Sequence, residues 1–323
     1  MASTPRARPT TLLNLADELL EEIFLRLPAA ADLARASMAS VSFRRLITDH
    51  RFLRRFRAGH PPPLLGVVCD HHGKDQPPRL AQPPHPSAAA ASTFAGFHAA
   101  DFSYSFLPSP KRWHRRDLRD GRLLLSGAPD DGGFSCLILV RDFAVCDPLY
   151  RRYILLPAIP DDLAALAQPP DVLRFQPFLA PPAAEDKEDL SFRVICLTQC
   201  TTKLVLFIFS SAARQWRAVT FDNWTTLMAG SDSPAPGESY WWPRLRHYAH
   251  GSFCWAFYPE GKLIMLDTRT MDFSAINLPP GTNMTQAVIL EASNGMLGMF
   301  INEYKTNFPT ILVSTNYLRC CRN

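Results

Sequence analysis

Between residues 14 and 60, apolar positions recur at the spacing of an α-helix. The first helix is expected to begin at Asp17 and Glu18, because carboxylates suit the positive end of a helix dipole, and to end at Pro28. One apolar face is formed by five residues that recur mostly three or four positions apart, namely Leu19, Leu20, Ile23, Phe24 and Leu27.

Three further short helices follow the same pattern. Asp32 is expected to cap the second helix and Asp49 the fourth. The apolar positions of these three helices are Leu33, Ala36, Val41, Phe43, Leu46, Ile47, Phe52, Leu53 and Phe56. So short a segment is too small to bury every apolar face internally. The helices therefore pack against the rest of the chain, or a partner protein completes their core.

From about residue 64 onward the pattern changes to short strands separated by turns. One layout of strand, turn and strand occurs three times, in FAVCDPLYRRYILLP, LVLFIFSSAARQWRAVTF and LIMLDTRTMDFSAINLPP. In each copy an aromatic residue follows the turn residue six positions later, in the pairs Asp147 and Tyr153, Ser210 and Trp216, and Asp267 and Phe273. The turn carboxylates are expected to accept hydrogen bonds from nearby backbone amides, and the aromatic rings to pack between neighbouring sheets.

Two other segments predict β-hairpins. HGSFCWAFYPEGKLIMLD turns at Pro259-Glu260-Gly261, and AVILEASNGMLGMFI turns at Asn294-Gly295. Repeated small antiparallel sheets are typical of β-propellers of the WD40 or kelch type. The predicted fold class is therefore α+β multidomain, with a small all-α domain followed by an all-β, propeller-like domain.

Domain boundaries follow from changes in composition. We expect a disordered segment over residues 1–13, a helical domain over 14–60 and a β-rich domain over 61–323, whose first strand is LLGVVC. Residues 73–93 and 158–189 are rich in Pro and Ala and predict surface loops inserted between strands. The last segment, FPTILVSTNYLRCCRN, has no obvious closing strand pattern, so the propeller is expected to be open or incomplete.

Charge and cysteine content narrow the class of protein. The net charge of +4 originates in the first 60 residues, where ten arginines accompany six acidic residues. Six of these arginines lie between positions 44 and 57 and are expected on the solvated faces of the last two helices, not on a nucleic acid. Neither a secretory signal nor a membrane-spanning apolar run is present, and the eight cysteines form no disulfide-like framework. We expect a soluble protein of the cytoplasm or nucleus.

Motifs for catalysis are missing from the sequence. It contains no glycine-rich phosphate loop, no G-x-S-x-G elbow and no H-E-x-x-H pair. His247 and His250 are expected at strand ends. The metal-binding candidates lack the second ligand pair of a zinc site, both Cys69 with His71 and His72 and Cys196 with Cys200. The sequence thus predicts no enzyme activity, no metal and no cofactor.

The helical segment resembles an F-box. The resemblance covers residues 14–56 and is carried by LADELL, IFLRLP, Asp32-Leu33 and SFRRLI at fixed spacings. Two positions depart from the family pattern, since Ala16 replaces a proline and Ser40 a cysteine, and both lie where the family contacts its adaptor. The following FLRRFRAGHPPPLLG resembles plant, particularly grass, F-box proteins, and the β-rich part is similar to their kelch-like F-box-associated domains.

The resemblance implies a non-catalytic receptor subunit. The F-box would dock on a Skp-type adaptor, and through it a cullin, by nine apolar residues: Leu15, Leu19, Leu20, Ile23, Leu27, Pro28, Leu33, Phe43 and Leu46. The β-rich domain would bind an unidentified protein substrate for ubiquitination by an SCF-type (Skp–cullin–F-box) ligase. The alternative is a degenerate or non-ligase F-box protein that acts as an adaptor-binding scaffold.

Overall fold

The chain folds into two units, residues 1–69 with 78–97 and residues 70–77 with 98–323. A computed structural model describes residues 15–60, 63–67, 70–71, 74–75, 78–95, 100–108, 113–127, 142–183, 191–222, 224–228, 243, 245–257, 261–278, 287–292, 295–301 and 310–312. The predicted disordered segment over residues 1–13 lies outside this description. The predicted domain boundary at residues 60 and 61 stays a prediction.

The four expected helices are all present in the first unit. They are α1 (Asp17–Leu25), α2 (Ala30–Ala39), α3 (Val41–Ile47) and α4 (His50–Gly59). Asp49 caps α4 as predicted, because its carboxylate accepts hydrogen bonds from the amides of Arg51 and Phe52 at 2.8 and 3.2 Å. The expected cap at Asp32 is wrong: α2 begins at Ala30, and Asp32 lies in the first turn, where it pairs with Arg35 at 2.6 Å.

Regular structure also occurs between residues 66 and 95. The short strands are β1 (Gly66–Val67), β2 (Asp70–His71), β3 (Lys74–Asp75) and β4 (Arg79–Leu80), and α5 spans Ala88–Ala95. β1 pairs antiparallel with β4 inside the first unit, whereas LLGVVC was expected to begin the β-rich domain. The prediction of a plain loop over residues 73–93 is also wrong, because β3, β4 and the start of α5 fall within it.

Besides the β2–β3 pair, the described residues of the second unit form four antiparallel sheets, numbered here in chain order. Each is a meander in which consecutive strands are neighbours. Sheet 1 has β5 (Trp113–Arg119), β6 (Arg122–Gly127), β7 (Phe143–Asp147) and β8 (Arg152–Leu156); sheet 2 has β9 (Val172–Ala180), β10 (Arg193–Cys200), β11 (Lys203–Ser210) and β12 (Gln215–Asp222). Sheet 3 has β13 (His247–Ala249), β14 (Ser252–Phe257), β15 (Lys262–Asp267) and β16 (Phe273–Asn277); sheet 4 has β17 (Ala287–Glu291), β18 (Leu297–Ile301) and β19 (Thr310–Leu312).

The predicted strand pairs are confirmed, including those of the two hairpins, and so is the role of the turn carboxylates. The predicted turn residues Pro259, Glu260 and Asn294 lie outside the described residues. Asp147 accepts a hydrogen bond from the amide of Leu149 at 2.9 Å, and Asp267 from that of Arg269 at 2.7 Å. In the three equivalent turns, the fourth residue after the turn residue has a positive φ: Arg151 (52°), Arg214 (55°) and Met271 (63°). The repeated layout therefore reflects one repeated turn conformation.

Apolar side chains fill the spaces between neighbouring sheets. One cluster joins sheet 1 to sheet 2, a second joins sheet 2 to sheet 3, and a third joins sheet 3 to sheet 4. Trp216 packs against Phe143 of sheet 1, with ring centroids 6.2 Å apart, and its indole N–H donates to the carbonyl of Pro157 at 2.7 Å. Phe273 packs against Phe221 of sheet 2, with ring centroids 4.9 Å apart. The predicted role of the aromatic residue between sheets is thus confirmed for these two copies.

In the first copy this prediction is wrong. The side chain of Tyr153 is 43% exposed, and its ring centroid lies 6.2 Å from that of Phe106. It occupies the face of sheet 1 that is covered by residues 102–107 and not by another sheet. Because none of the described sheets encloses this position, the aromatic ring stays at the surface.

The largest error of the sequence analysis is β9. Residues 158–189 were expected to form a loop, yet they contain α6 (Asp161–Ala164) and the nine-residue strand β9, most of which is buried. Pro177 is tolerated because β9 is an edge strand: among the described strands it pairs with β10 alone, and proline is compatible with edge strands. Strand β19 lies in the final segment, whose Cys320-Cys321 ending was expected to lack a closing strand pattern and is outside the described residues.

The first strands of neighbouring sheets contact each other, β5 with β9 and β13 with β17. Four stacked sheets with this arrangement form the β-rich unit. Within the described ranges, no apolar cluster contains residues of both sheet 1 and sheet 4. Closure into a propeller is therefore not observed in this part of the chain.

Candidate partner-binding surface

The four helices α1–α4, called the helical unit from here on, have their own apolar core. The rings of Phe43 and Phe52 approach Phe24 edge-on, with centroids at 5.1 and 6.5 Å. Eight side chains, contributed by all four helices, form this core: Leu20, Phe24, Leu33, Phe43, Leu46, Ile47, Phe52 and Phe56. The helices α1–α4 thus bury more apolar surface on one another than their length led us to expect.

This core divides the nine apolar residues of the predicted adaptor contact into two groups. Leu20, Leu33, Phe43 and Leu46 are at most 8% exposed and hold the helices together. By contrast, Leu19 is 55% exposed, Ile23 is 39% exposed and Pro28 is also exposed, while Leu15 and Leu27 are half-buried against the core. The assignment of the full set to an adaptor contact stays a prediction, but only the second group is presented to a partner.

Two further apolar residues of this unit are exposed although neither is among the nine residues of the predicted adaptor contact. Met38, near the end of α2, is 71% exposed, and Val41, at the start of α3, is 83% exposed. The expectation that Val41 belongs to the apolar face of the third helix is wrong, and Met38 lies outside the apolar positions expected for the second helix. Single exposed apolar side chains are common on folded proteins, so these two residues alone assign no contact.

Between Met38 and Val41, Ser40 acts as the N-cap of α3. Its hydroxyl accepts a hydrogen bond from the amide of Ser42 at 3.3 Å. The residue that departs from the F-box pattern therefore has a structural role here. At α4, the amide hydrogen bonds from Phe52 and Arg51 hold the pKa of Asp49 below its ordinary value.

The arginines of α3 and α4 are exposed, as predicted. Arg45 pairs with Asp17 at 2.8 Å, and Arg55 pairs with Glu21 and Glu22 at 2.8 and 2.9 Å. These ion pairs link α3 and α4 to α1. Each contributes little to stability because solvent screens exposed charges, but together they place acidic side chains beside the guanidinium groups and lower the positive potential of this face.

The candidate residues for chemistry in the second unit have structural positions. His247 begins β13, and His250 lies in the turn before β14, where its ring Nε2 is 2.7 Å from the carbonyl oxygen of Met296. Burial lowers the pKa of His247, and Arg246 lowers it further. Burial raises the pKa of Cys196 well above its ordinary value, so this thiol stays protonated and unreactive. Cys69 and His72 lie outside the described residues.

The described part of the chain contains neither a candidate metal site nor a candidate membrane-spanning helix. No group of three or more His, Cys, Asp or Glu side chains there could hold a metal ion. No helix there has the length and apolar character needed to cross a membrane.

Comparison with known proteins gives one informative match. Residues 12–55 match the model of the F-box domain, a range that includes α1, α2, α3 and half of α4. No curated protein sequence matches the chain. Among solved structures, a post-proline cleaving enzyme from Rickettsia typhi aligns with 62% of this chain and 30% of its own, at 7% identity and a TM-score of 0.28. The chain thus spans less than a third of that enzyme, and nothing is inferred from so low a score.

Proposed function

We propose that this chain, whose helical unit carries the F-box, is a substrate-recognition subunit of an SCF-type ubiquitin ligase. F-box domains generally bind Skp-type adaptors, and a role in substrate recognition for such ligases follows from the domain in general terms. The observation that carries the proposal is the coincidence of two independent features. The residues that match the F-box also form a self-supported helical unit with exposed apolar side chains.

The direct contact to the adaptor would be made by the exposed group. Leu19 and Ile23 are one helical turn apart and therefore lie on one face of α1, and Pro28 follows the helix. Apolar side chains that become fully buried at the centre of an interface carry most of its binding free energy. Leu20, Leu33, Phe43 and Leu46 would act indirectly, because the core they form fixes the position of α1.

The second unit would hold the substrate. Its four stacked antiparallel sheets support the prediction of a kelch-like propeller that is partly open, similar to the F-box-associated domains of plants. Limited proteolysis tests the open form: cleavage within the β-rich unit is expected. One protease-resistant body from residue 64 to the end would contradict it.

Such a receptor performs no bond chemistry. F-box proteins are typically non-catalytic subunits of their complexes. By tethering a substrate near the conjugating enzyme that a cullin recruits, the receptor raises the local concentration of a substrate lysine. This activity would take place in the cytoplasm or nucleus, where we expect the chain.

Assembly with purified components tests the proposal. The full-length chain is expected to co-purify with a Skp-type adaptor and, through it, with a cullin. Leu19→Asp combined with Ile23→Asp should abolish co-purification, because it places two charges in an apolar contact. Leu245→Asp is the matched control, since Leu245 is 62% exposed in the second unit.

The outcome separates the two candidate functions. Failure of the wild-type chain to bind any Skp-type adaptor would refute the proposal. Binding of the adaptor without assembly of a cullin would favour the alternative, an adaptor-binding scaffold outside a ligase. Leu20 is unsuitable as a site for a charged substitution because it is 2% exposed and its replacement would unfold the unit.

A further inference from the structure

Strand β8 is an open edge of sheet 1. The strand order of this sheet is β5-β6-β7-β8, and among the described strands β8 pairs with β7 alone. Along such an edge, alternate residues direct their N–H and C=O groups away from the sheet, where an added strand can bind them.

The side chains of β8 differ from those of the equivalent strands. Tyr153, Ile154 and Leu155 are 43%, 54% and 48% exposed, and Tyr150, just before the strand, is 65% exposed. In the fourth strands of sheets 2 and 3, the exposed positions are polar: Gln215, Arg217, Thr220, Asp222, Ser274 and Asn277. Soluble proteins usually protect open edges with polar or charged side chains. An apolar open edge instead indicates a site for a partner strand.

A cavity of about 240 Å³ lies at one end of the same sheet. Its apolar lining includes Trp113, Leu155 and Leu156, and among the described lining residues the one charged group is the carboxylate of Asp142. Tyr153 and Leu155 are two residues apart on β8, so they share one face of the sheet. The apolar face of the edge strand therefore leads into the cavity.

The carboxylate of Asp142 is held beside a glycine. A Cβ atom at Gly127 would lie 3.0 Å from the Cβ of Asp142, so a larger residue there would push this side chain away. Within the described ranges, the carboxylate of Asp142 has no ion-pair partner. It can therefore bind a cation that enters the cavity.

The opposite end of β8 carries positive charge. Arg152 is the first residue of the strand and is exposed, with its guanidinium carbon 5.7 Å from the ring centroid of Tyr150. From Arg152 to Leu156 the strand extends about 13 Å, at about 3.3 Å per residue. At one end of the edge lies the carboxylate of Asp142, which directly precedes the neighbouring strand β7. The middle of the edge is apolar, and Arg152 provides a positive group at the other end.

We infer that the β8 edge binds an extended segment of a partner protein by strand addition. The segment carries a basic residue for Asp142, apolar residues beside Leu155 and Tyr153, and an acidic residue for Arg152. Antiparallel addition, the more stable pairing, places the basic residue about five positions before the acidic one. Only the identification of this partner with a ligase substrate rests on the proposed function.

A labelled peptide measures this binding directly. The probe is an acetylated and amidated decapeptide with the core Lys-Thr-Val-Thr-Val-Asp, titrated by fluorescence anisotropy with the full-length chain. One control peptide exchanges the two charged residues and should bind about threefold more weakly, as expected for two exposed ion pairs. A second control replaces the first valine by proline, which removes a backbone N–H, and should lose binding.

Variants of the protein locate the site. Leu155→Lys should weaken binding about tenfold or more, because it places a charge in the apolar contact. Thr220→Lys, at an exposed position on the equivalent strand β12, is the matched control and should bind as the wild type does. In the double variant Asp142→Asn and Arg152→Gln, the dissociation constants of the probe and of its charge-exchanged control should become equal, a ratio of about one. The circular dichroism spectrum of this variant should match that of the wild type.

Three results would overturn the inference: no binding of the probe, equal binding by Leu155→Lys and Thr220→Lys, or undiminished binding of the proline peptide. Sedimentation gives a further test. If the wild-type chain self-associates and Leu155→Lys makes it monomeric, a second copy occupies the edge and the inference is wrong. Peptide binding by a chain that binds no Skp-type adaptor would leave this inference intact and refute only the proposed function.

Discussion

Leu19 and Leu20 are neighbours in sequence, yet we expect opposite effects when each is replaced by alanine. Leu20 is 2% exposed and belongs to the core of the helical unit, whereas Leu19 is 55% exposed. Leu20→Ala should therefore unfold the helical unit, and Leu19→Ala should leave it folded and weaken only the contact with a partner.

The magnitudes follow from burial. Replacement of a buried leucine by alanine costs about 2–5 kcal/mol of unfolding free energy, while a substitution at an exposed position changes it by at most about 0.5 kcal/mol. A unit as small as residues 15–60 has a stability of about 2–7 kcal/mol, at about 0.05–0.15 kcal/mol per residue. Leu20→Ala thus removes most or all of this stability.

The two units of the chain need not unfold in one transition, so a global melting curve would mix their stabilities. Hydrogen exchange in the full-length chain measures the stability of each helix and strand separately. The amides of α1, α3 and α4 should exchange much faster in Leu20→Ala and at the wild-type rate in Leu19→Ala. The strands β10 and β11 of the other unit should be unchanged in both variants. Equal protection in the two variants, or loss of protection in Leu19→Ala alone, would refute the assignment of core and surface.

Three further predictions concern single side chains. Trp216→Phe should lower the stability of the β-rich unit by at least about 0.5–1.5 kcal/mol in urea unfolding, because it removes the hydrogen bond between sheets 1 and 2; an unchanged midpoint would contradict this role. Asp267→Ala should be less stable than Asp267→Asn, which keeps an acceptor for the amides of Arg269 and Thr270; equal melting temperatures would contradict it. The folded-state pKa of Asp49 is depressed, so the stability advantage of the wild type over Asp49→Ala should be complete above the unfolded pKa of about 3.9 and be lost as the pH falls through the folded pKa; an advantage that grows in acid would contradict the cap.

The sequence predicted those elements whose signal is local. The helix α4 was recognised from Asp49 and from the spacing of Phe52 and Phe56, and the strand pair β7–β8 from Asp147 and the flanking apolar runs. Local signals also produced one error. A carboxylate in the first turn of a helix and one at its cap look alike in sequence, so Asp32 was taken for the cap of α2.

Features that depend on tertiary contacts were not predictable from pattern alone. The strand β9 alternates poorly because both of its faces are covered by neighbouring sheets, and Pro177 argues against a strand unless its position at an edge is known. The division of the nine predicted contact residues into core and surface likewise depends on tertiary packing. Leu19 and Leu20 both fit the apolar face of α1, and only the packing of α3 and α4 decides which one is buried.

The central claim is that the helical unit binds a Skp-type adaptor through its exposed apolar side chains. Isothermal titration of the full-length chain with such an adaptor tests it most directly. The account predicts a one-to-one complex, lost in the Leu19→Asp and Ile23→Asp double variant while the helices keep their hydrogen-exchange protection. A wild-type chain that binds no adaptor, or a double variant that binds as tightly as the wild type, would contradict it.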